Sequence, residues 1–461
     1  MKTPPIAVRE GQTIPVRALV DGDFDASLEK STRRRITALS RQLQKNLALR
    51  ELPLTLVEDD ELQMRIRGIA GTLKFGNVEI EVSPKFTAPD AEAERAWRAN
   101  LLLMLERSSP RPTRYTRSHR VRLEHRTLLD QFAFAFAVQL RSATSGAPIR
   151  QYVTVAQQSK YLRGRLRVSD QLRAFSTRPD LIWSDIDELD TQNAHNDLLL
   201  WVGQQLLHRV RSAEVRRELS AEIAGLPPTS PVPPAPNRLL PKLARQYVHY
   251  EGAINLAESY VRGKLIFPGV ASVEGAAFLV GTERLYESFI ENSLYGIASA
   301  KVDDTWSVVA QARELFATGV RHKRNYFSKP DNVLNSEALG RLIVDAKYKS
   351  FSEATDGSSA SKPSNADLYQ MAAACLAHKA DRALLLYPRK DPSDEQIEFW
   401  AITWWEIPVS PDLVFSVGAA SVDLSLLQDP DSAADFDSKL EVLLALGLNG
   451  VGIASAYGKG A

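Results

Sequence analysis

The 461-residue sequence predicts a multidomain protein of α+β and α/β architecture, with a strand-rich region over 1–90, a mainly helical middle over 91–225 and a C-terminal α/β domain over 242–461. Three observations lead there. The chain is too long for one ordinary compact domain. Its apolar residues alternate at strand spacing near the start and recur at helix spacing beyond about residue 90. Between the later segments, Leu226–Pro241 carries seven prolines, which neither a helix interior nor a central strand accepts, so 226–241 is expected to be an extended connector.

In chain order, an early helix is expected around Leu28–Leu49. Leu73–Pro84 (LKFGNVEIEVSP) follows as a hairpin, two short alternating runs around the turn-favouring pair Gly76-Asn77. Helical spacing then marks Ala91–Arg107, Arg126–Ala143, Asn193–Val210 and Val215–Ala224. Beyond the connector come a helix over Gly281–Ser299, a strand near Trp306–Ala312 and a turn at Lys329–Asn332. Next are a strong strand at Leu342–Tyr348 and an exposed polar loop at Ser352–Asn365. A helix at Ala366–His378 and strands at Ala383–Tyr387 and Glu398–Glu406 complete the series. This mixed order of strands and helices is an α/β pattern.

Composition sets broad limits. Hydrophobic residues make up 44% and charged residues 25%, enough for a sizeable core and unlike a disordered chain. Against 57 Lys and Arg stand 56 Asp and Glu, so net charge neither demands nor excludes a polyanionic partner. Local clusters at Arg33–Arg35, along Arg107–Arg126 and at Arg321–Arg324 could meet phosphate or simply face water. The single cysteine, Cys375, excludes an intramolecular disulfide and a cysteine-based zinc site. Without a signal-like start or an apolar run of membrane-spanning length, the chain is expected to be soluble and cytoplasmic.

The segment that carries chemistry is Leu342-Ile-Val-Asp-Ala-Lys-Tyr348. Strand alternation places Asp345 and Lys347 on one face at the end of a buried run, where a carboxylate and an ammonium are costly unless partnered or used. Upstream, Pro330-Asp331 sits in a turn that can bring a second carboxylate to the first. Glu287 and Glu291, four apart on the preceding helix, share a face; Glu287 is favoured to complete a metal shell, and a solvated glutamate pair is the plain alternative. Gln370 could bond a water on the metal or a DNA phosphate, or could be an ordinary surface glutamine. Asp331, Asp345 and Glu287 offer hard oxygen ligands for Mg²⁺, and Lys347 can orient the attacking water and offset charge on the phosphate. Asp-x-Lys alone is common as a surface ion pair. With Pro-Asp upstream, an acidic helix before it and Asp367-Leu-Tyr-Gln370 after it, the order matches a PD-(D/E)xK nuclease core.

At these residues the sequence resembles the McrC family, the nuclease partner of the McrB GTPase in modification-dependent restriction. The resemblance runs along most of the chain: Gly71-Thr72 to Ser83-Pro-Lys85, Asn100–Leu105, Tyr152, Leu162-Arg-Gly-Arg165, Asn193 and Asn196. It continues through Tyr286-Glu287 to Phe289, Pro330-Asp331, Val344–Tyr348 and Asp367–Met371, and this C-terminal group is the more specific. It implies an N-terminal region that docks onto a McrB-like AAA+ GTPase hexamer and stimulates it, and a C-terminal domain that cuts double-stranded DNA, modified or not. GTP is expected on the partner, because the chain lacks the phosphate-binding loop GxxxxGK[ST]. Cutting both strands needs two active sites and suggests two copies.

Other residues admit plainer readings. Arg163 and Arg165 could reach a phosphate or flank a structural turn at Gly164. His322 and His378 read as surface or capping residues, Trp404 and Trp405 as core packing, and Cys375 as buried filler. Two alternatives to the restriction nuclease stand beside it: a non-cleaving adaptor that activates the motor, and a PD-(D/E)xK nuclease of another defence or repair system.

Overall fold

The computed structural model describes residues 6–20, 25–86, 91–107, 127–145, 147–175, 177–227, 240–241, 243–261, 276–301, 306–319, 324–349, 363–388, 399–411, 413–428 and 430–450. The chain forms two compact units, one of residues 1–128 with 266–461 and the other of residues 129–265. Most of the proline-rich stretch and of the polar loop at 352–365 lies outside the described residues, as does His322.

The first unit begins with β1 (Ile6–Arg9), β2 (Thr13–Pro15), α1 (Ala26–Leu47), β3 (Leu54–Glu58), β4 (Leu62–Ile66), β5 (Ile69–Phe75), β6 (Val78–Ser83) and α2 (Ala91–Arg107). The expected hairpin is β5–β6, antiparallel with Phe75 opposite Val78. Asp25 caps α1 by accepting from Leu28 N, and Ala48 ends it in the left-handed region. Ile36, Leu39, Leu43 and Leu47 of α1 pack with Leu73, Phe75, Ile80 and Val82 of the hairpin. In the Arg33–Arg35 cluster, Arg33 pairs with Glu29 and Glu58, and Arg35 lies over the Phe75 ring.

The second unit contains α3 (Leu128–Thr144), whose first residue falls at the boundary, then β7 (Gln151–Ser159), β8 (Arg165–Leu166), α4 (Val168–Ala174), β9 (Ile182–Asp190), α5 (Ala194–Arg209), α6 (Ala213–Ala224) and α7 (Glu251–Val261). The expected helices are present, but a three-stranded antiparallel sheet, β7-β9-β8, lies among them. Most residues of β7 are exposed, so its sequence lacks the apolar alternation that marks a half-buried strand. Asn193 caps α5 through a bond from Asn196 N, and both asparagine amides donate to the carbonyls of Ile149 and Thr191. Gly164 sits at φ +69° with the Asp185 carbonyl 2.2 Å from where a Cβ would be, which supports a structural turn between Arg163 and Arg165.

The first unit resumes with β10 (Ala276–Gly281), α8 (Thr282–Ala300), β11 (Trp306–Ala310), β12 (Glu314–Thr318), β13 (Asn325–Ser328), β14 (Asn332–Ser336), β15 (Gly340–Ala346), α9 (Asn365–His378), β16 (Arg382–Pro388), β17 (Thr403–Ser410), β18 (Leu413–Val422) and α10 (Pro430–Asn449). Strand β10 pairs antiparallel with β5, giving a sheet of order β1-β6-β5-β10 that ties the two ends of the chain into one unit. That pairing requires Gly71: at φ +122° a Cβ would stand 2.0 Å from the Phe278 carbonyl oxygen. Gly71→Ala is therefore expected to cost about 3 kcal/mol or more, read as a lower denaturant midpoint; an unchanged midpoint would refute this account of the junction.

The second large sheet has order β11-β14-β15-β16-β18-β17, with β15, β16 and β18 parallel in its centre. Met371, Ala374 and Cys375 of α9 pack on Ile343, Leu385 and Val417. On the opposite face, Gly447 of α10 approaches Leu342 and Leu384, and Phe289 of α8 meets Phe436 at 5.2 Å. Central parallel strands covered on both faces explain the continuous apolar runs in β15 and β16. Cys375 is buried, as expected. His378, expected at the surface or as a helix cap, is buried, because the end of α9 packs against the β12–β13 pair; desolvation lowers its pKa. Trp405 and Ile407 of β17 pack against the core, and Trp400 precedes the strand at positive φ with its ring on Phe436.

Candidate active site

Asp345 lies near the C-terminal end of β15, opposite Leu385 of the parallel strand β16. The carboxyl ends of central parallel strands are where α/β sheets expose chemistry. Ile343 and Asp345 point to the α9 side of the sheet, and Lys347, just beyond the strand, continues that alternation. Its Nζ lies 2.6 Å from Asp345 Oδ2. Gln370, two turns into α9, joins the pair: its Oε1 accepts from Lys347 Nζ at 2.9 Å, and its Nε2 reaches Asp345 Oδ1 at 3.5 Å.

The Asp345 side chain is only 1% exposed. Its Oδ2 has the ammonium beside it but accepts no well-directed hydrogen bond. A buried carboxylate in that state is a demanding group whose attraction for a cation is only partly met.

Asp331 occupies the turn before β14. Its Oδ2 accepts from Ala346 N at 3.1 Å, which fixes it beside the end of β15, and Oδ1 is 3.4 Å from Gln311 Nε2. Burial, then the charge of Asp345, pushes the Asp331 pKa up to about 6. Glu287 projects from α8. Burial, then Asp331 and Glu283, pushes its pKa up to about 7. The guanidinium of Arg50, from the loop after α1, opposes this, lying 2.9 Å from Glu283 and 3.5 Å from Glu287. Tyr286 anchors the helix by donating to the Leu386 carbonyl at 3.2 Å, which fixes the turn that carries Glu287.

The structure thus brings Asp345, Lys347 and Gln370 into direct contact, ties Asp331 to the same strand end, and links Glu287 to them through a shared electrostatic field. Among the described residues, no three His, Cys, Asp or Glu side chains converge closely enough to hold a metal ion. Lys347 and Arg50 are the immediate neighbours of Asp345 and Glu287, so the site stands in a form where internal cations offset part of its negative charge.

Three neighbouring groups support the site, and two of them, Glu10 and Arg50, had no signal in the sequence. Glu10, buried just after β1, accepts from Gly68 N at 2.8 Å, Lys85 N at 3.3 Å, Thr282 Oγ1 at 3.2 Å and Tyr348 OH at 3.0 Å. It therefore clamps the chain just after Lys347 to the N-terminal sheet. Asp367 accepts from Ser364 Oγ and from Tyr387 OH, with Lys349 Nζ at 2.5 Å. Burial alone would raise its pKa, but the bonds from Lys349 and Ser364 and the nearby lysine charges bring it below the ordinary value. The third is Arg50. Glu10 and Arg50 were visible only as unremarked charged residues and Asp367 only by its place in Asp367-Leu-Tyr-Gln370, because each role depends on partners distant in sequence.

Residues 64–388, more than half of the chain, match the family described as McrBC 5-methylcytosine restriction system component. No curated protein matches the chain. Among solved structures, the chain is similar to one in the refined half-complex from the tetradecameric assembly of Thermococcus gammatolerans McrB AAA+ hexamers with bound McrC. The TM-score is 0.60 at 18% identity, covering 96% of this chain and 99% of that one, a likeness of fold. A chain of the cryo-EM structure of the Thermococcus gammatolerans McrBC complex gives a TM-score of 0.45 at 21% identity, covering 65% and 89%. No helix of the described residues is long and apolar enough to cross a membrane. The protein belongs to the McrBC 5-methylcytosine restriction system component family.

Proposed function

We propose that this chain is the McrC-like nuclease subunit of a two-component restriction system, a Mg²⁺-dependent endodeoxyribonuclease with a PD-(D/E)xK core. The observation that carries the reading is the contact set Asp345–Lys347–Gln370 with Asp331 fixed to the same strand end. The donor set suits the metal. Three carboxylate side chains, two of them with pKa values raised by burial and then by neighbouring carboxylates, form the hard oxygen environment that Mg²⁺ favours. Asp331, Asp345 and Glu287 would hold it.

When bound, the metal supplies Lewis-acid activation and charge neutralisation at the scissile phosphodiester. The protein's own groups do the rest. Asp345 keeps Lys347 beside the reacting phosphate, where the ammonium offsets growing negative charge and orients the attacking water. Gln370 locks the lysine rotamer by accepting from Nζ, so that little reorganisation accompanies reaction.

A McrB-like AAA+ GTPase hexamer is the proposed partner. The solved Thermococcus gammatolerans assembly consists of McrB AAA+ hexamers with bound McrC, and the fold likeness to a chain of that assembly spans nearly the whole of both chains. In this reading residues 1–90 dock, residues 242–461 cut duplex DNA, GTP binds the partner alone, and two copies serve the two strands.

The test is cleavage of methylated and unmodified plasmid with the cognate partner, Mg²⁺ and GTP. Wild type is expected to cut and Asp345→Ala to lose at least about a hundredfold in rate, because loss of a direct ligand exceeds the effect of losing its outer support. Equal cutting by the variant would remove the assignment of the site. Absence of cutting by either, with partner GTP hydrolysis still raised, would favour an adaptor that activates without cleaving.

A further inference from the structure

Strands β12 and β13 pair only with each other among the described strands, forming a hairpin outside both large sheets. Its two roots meet at the candidate site. Gln311 N donates to the Asp331 carbonyl at 2.8 Å and its side chain approaches Asp331 Oδ1, while Lys329-Pro330 leads from β13 directly into Asp331.

The hairpin has the wrong surface for an inert connection. Every residue of β12 is exposed, and so are Asn325, Tyr326 and Phe327 of β13. Leu315, Phe316, Tyr326 and Phe327 all stand out in solvent, Tyr326 at 65%. The Arg313 guanidinium stacks 3.8 Å from the centre of the Phe327 ring. From 312 to 329, the described charged residues are Arg313, Arg324 and Lys329 against Glu314 alone, and all four are exposed.

We propose that the β12–β13 hairpin grips duplex DNA beside the scissile phosphate, its cations on backbone phosphates and its aromatic side chains against the groove. This rests on the nuclease reading. Charge selects the occupant: exposed cations interleaved with aromatic rings suit a polyanion with flat, stacked bases. Two copies of the same positive hairpin packed face to face would repel. Attachment to Asp331 through both roots means that a duplex held by the hairpin lies next to the candidate catalytic carboxylates.

The test is fluorescence anisotropy of the full-length chain with a fluorescein-labelled 30-base-pair duplex in EDTA, where no cutting occurs. Arg313→Glu with Lys329→Glu is expected to weaken binding by about tenfold or more and to reduce the salt slope by about 2, because two phosphate contacts are lost. Tyr326→Ala is expected to weaken binding several-fold with the slope unchanged. Thermal melts of these surface variants should match wild type, which separates lost contact from lost fold. Unchanged affinity in both variants, or no measurable duplex binding by wild type at low salt, overturns the proposal. So does a wild-type dimer that the variants convert to monomer with DNA affinity per chain intact, which assigns the hairpin to a second copy.

The two readings fail separately. If Asp345→Ala still cuts while the hairpin variants lose binding, the active-site assignment falls and the hairpin stands. If Asp345→Ala stops cutting while the hairpin variants bind and cut as wild type, the reverse holds.

Discussion

Asp331→Asn is expected to abolish DNA cleavage and, at pH 8 without metal, to make the protein more stable. The two effects have one cause. Asp331 is raised to about 6 by burial and then by the charge of Asp345, so its ionised form is disfavoured in the folded protein. A carboxyl whose folded pKa lies above its unfolded value contributes stability that is fully present below the unfolded value, near 4, and is lost as pH rises through 6. At pH 8 the wild-type protein therefore carries the full cost of that burial and of the repulsion from Asp345. Asparagine removes the charge yet still offers an oxygen to Ala346 N, so the turn keeps its hydrogen bond.

After allowance for solvent screening, the gain at pH 8 is about 1–2 kcal/mol, vanishing near pH 4. Thermal melts of both proteins across that range supply the measurement. Asp331 also raises Glu287, so the variant should titrate Glu287 at a lower pH, strengthening the same trend. Cleavage by the variant in the reconstituted system should fall at least about a hundredfold. Such opposition between activity and stability is the mark of a site whose like charges are kept together for function. A purely structural Asp331 would give the reverse: lower stability at pH 8, with cleavage falling only as the fold is lost.

Glu10→Ala should produce the largest loss of stability. The carboxylate is buried and receives four donors from Gly68, Lys85, Thr282 and Tyr348, and the Lys85 charge favours its ionised form against the raising effect of burial. Alanine leaves those donors facing a dry space, a change of about 3–5 kcal/mol in the denaturant midpoint. Glu10→Gln keeps the shape and one accepting oxygen but turns an amide toward other donors, so it should fall between. A loss below about 1 kcal/mol for alanine would show that water replaces the carboxylate and that the clamp is not needed. Because Tyr348 follows Lys347 by one residue, the glutamine variant also reports on positioning: its cleavage rate should fall further than its stability alone accounts for, with DNA affinity unchanged.

Residues 342–347 show how much of this was written locally. A run of β-branched and leucine residues makes a buried strand, and period-two alternation puts Asp345 and Lys347 on one side; both follow from the backbone geometry of any strand. The early hairpin, α1, α5, α8 and α9 were legible for the same reason, since apolar spacing at 2 or 3.6 residues is a property of nearby positions. The sheet of β7, β8 and β9 was not, because most of β7 and all of β8 are exposed and show no apolar face.

What only the tertiary structure decided are the contacts between residues far apart in sequence. Strand β10 crosses to pair with β5, more than two hundred residues earlier, and so draws the start of the chain into the same unit as the candidate site. Gln370 became a partner of Lys347 only when α9 packed on β15; Glu10 and Arg50 acquired roles only when the N-terminal elements met α8 and Tyr348. Periodicity fixes which face a side chain occupies, because that is set by its own backbone. Its partners are chosen by long-range packing, in which burial and hydrogen-bond satisfaction across the whole unit compete, and no local pattern in the sequence records that choice.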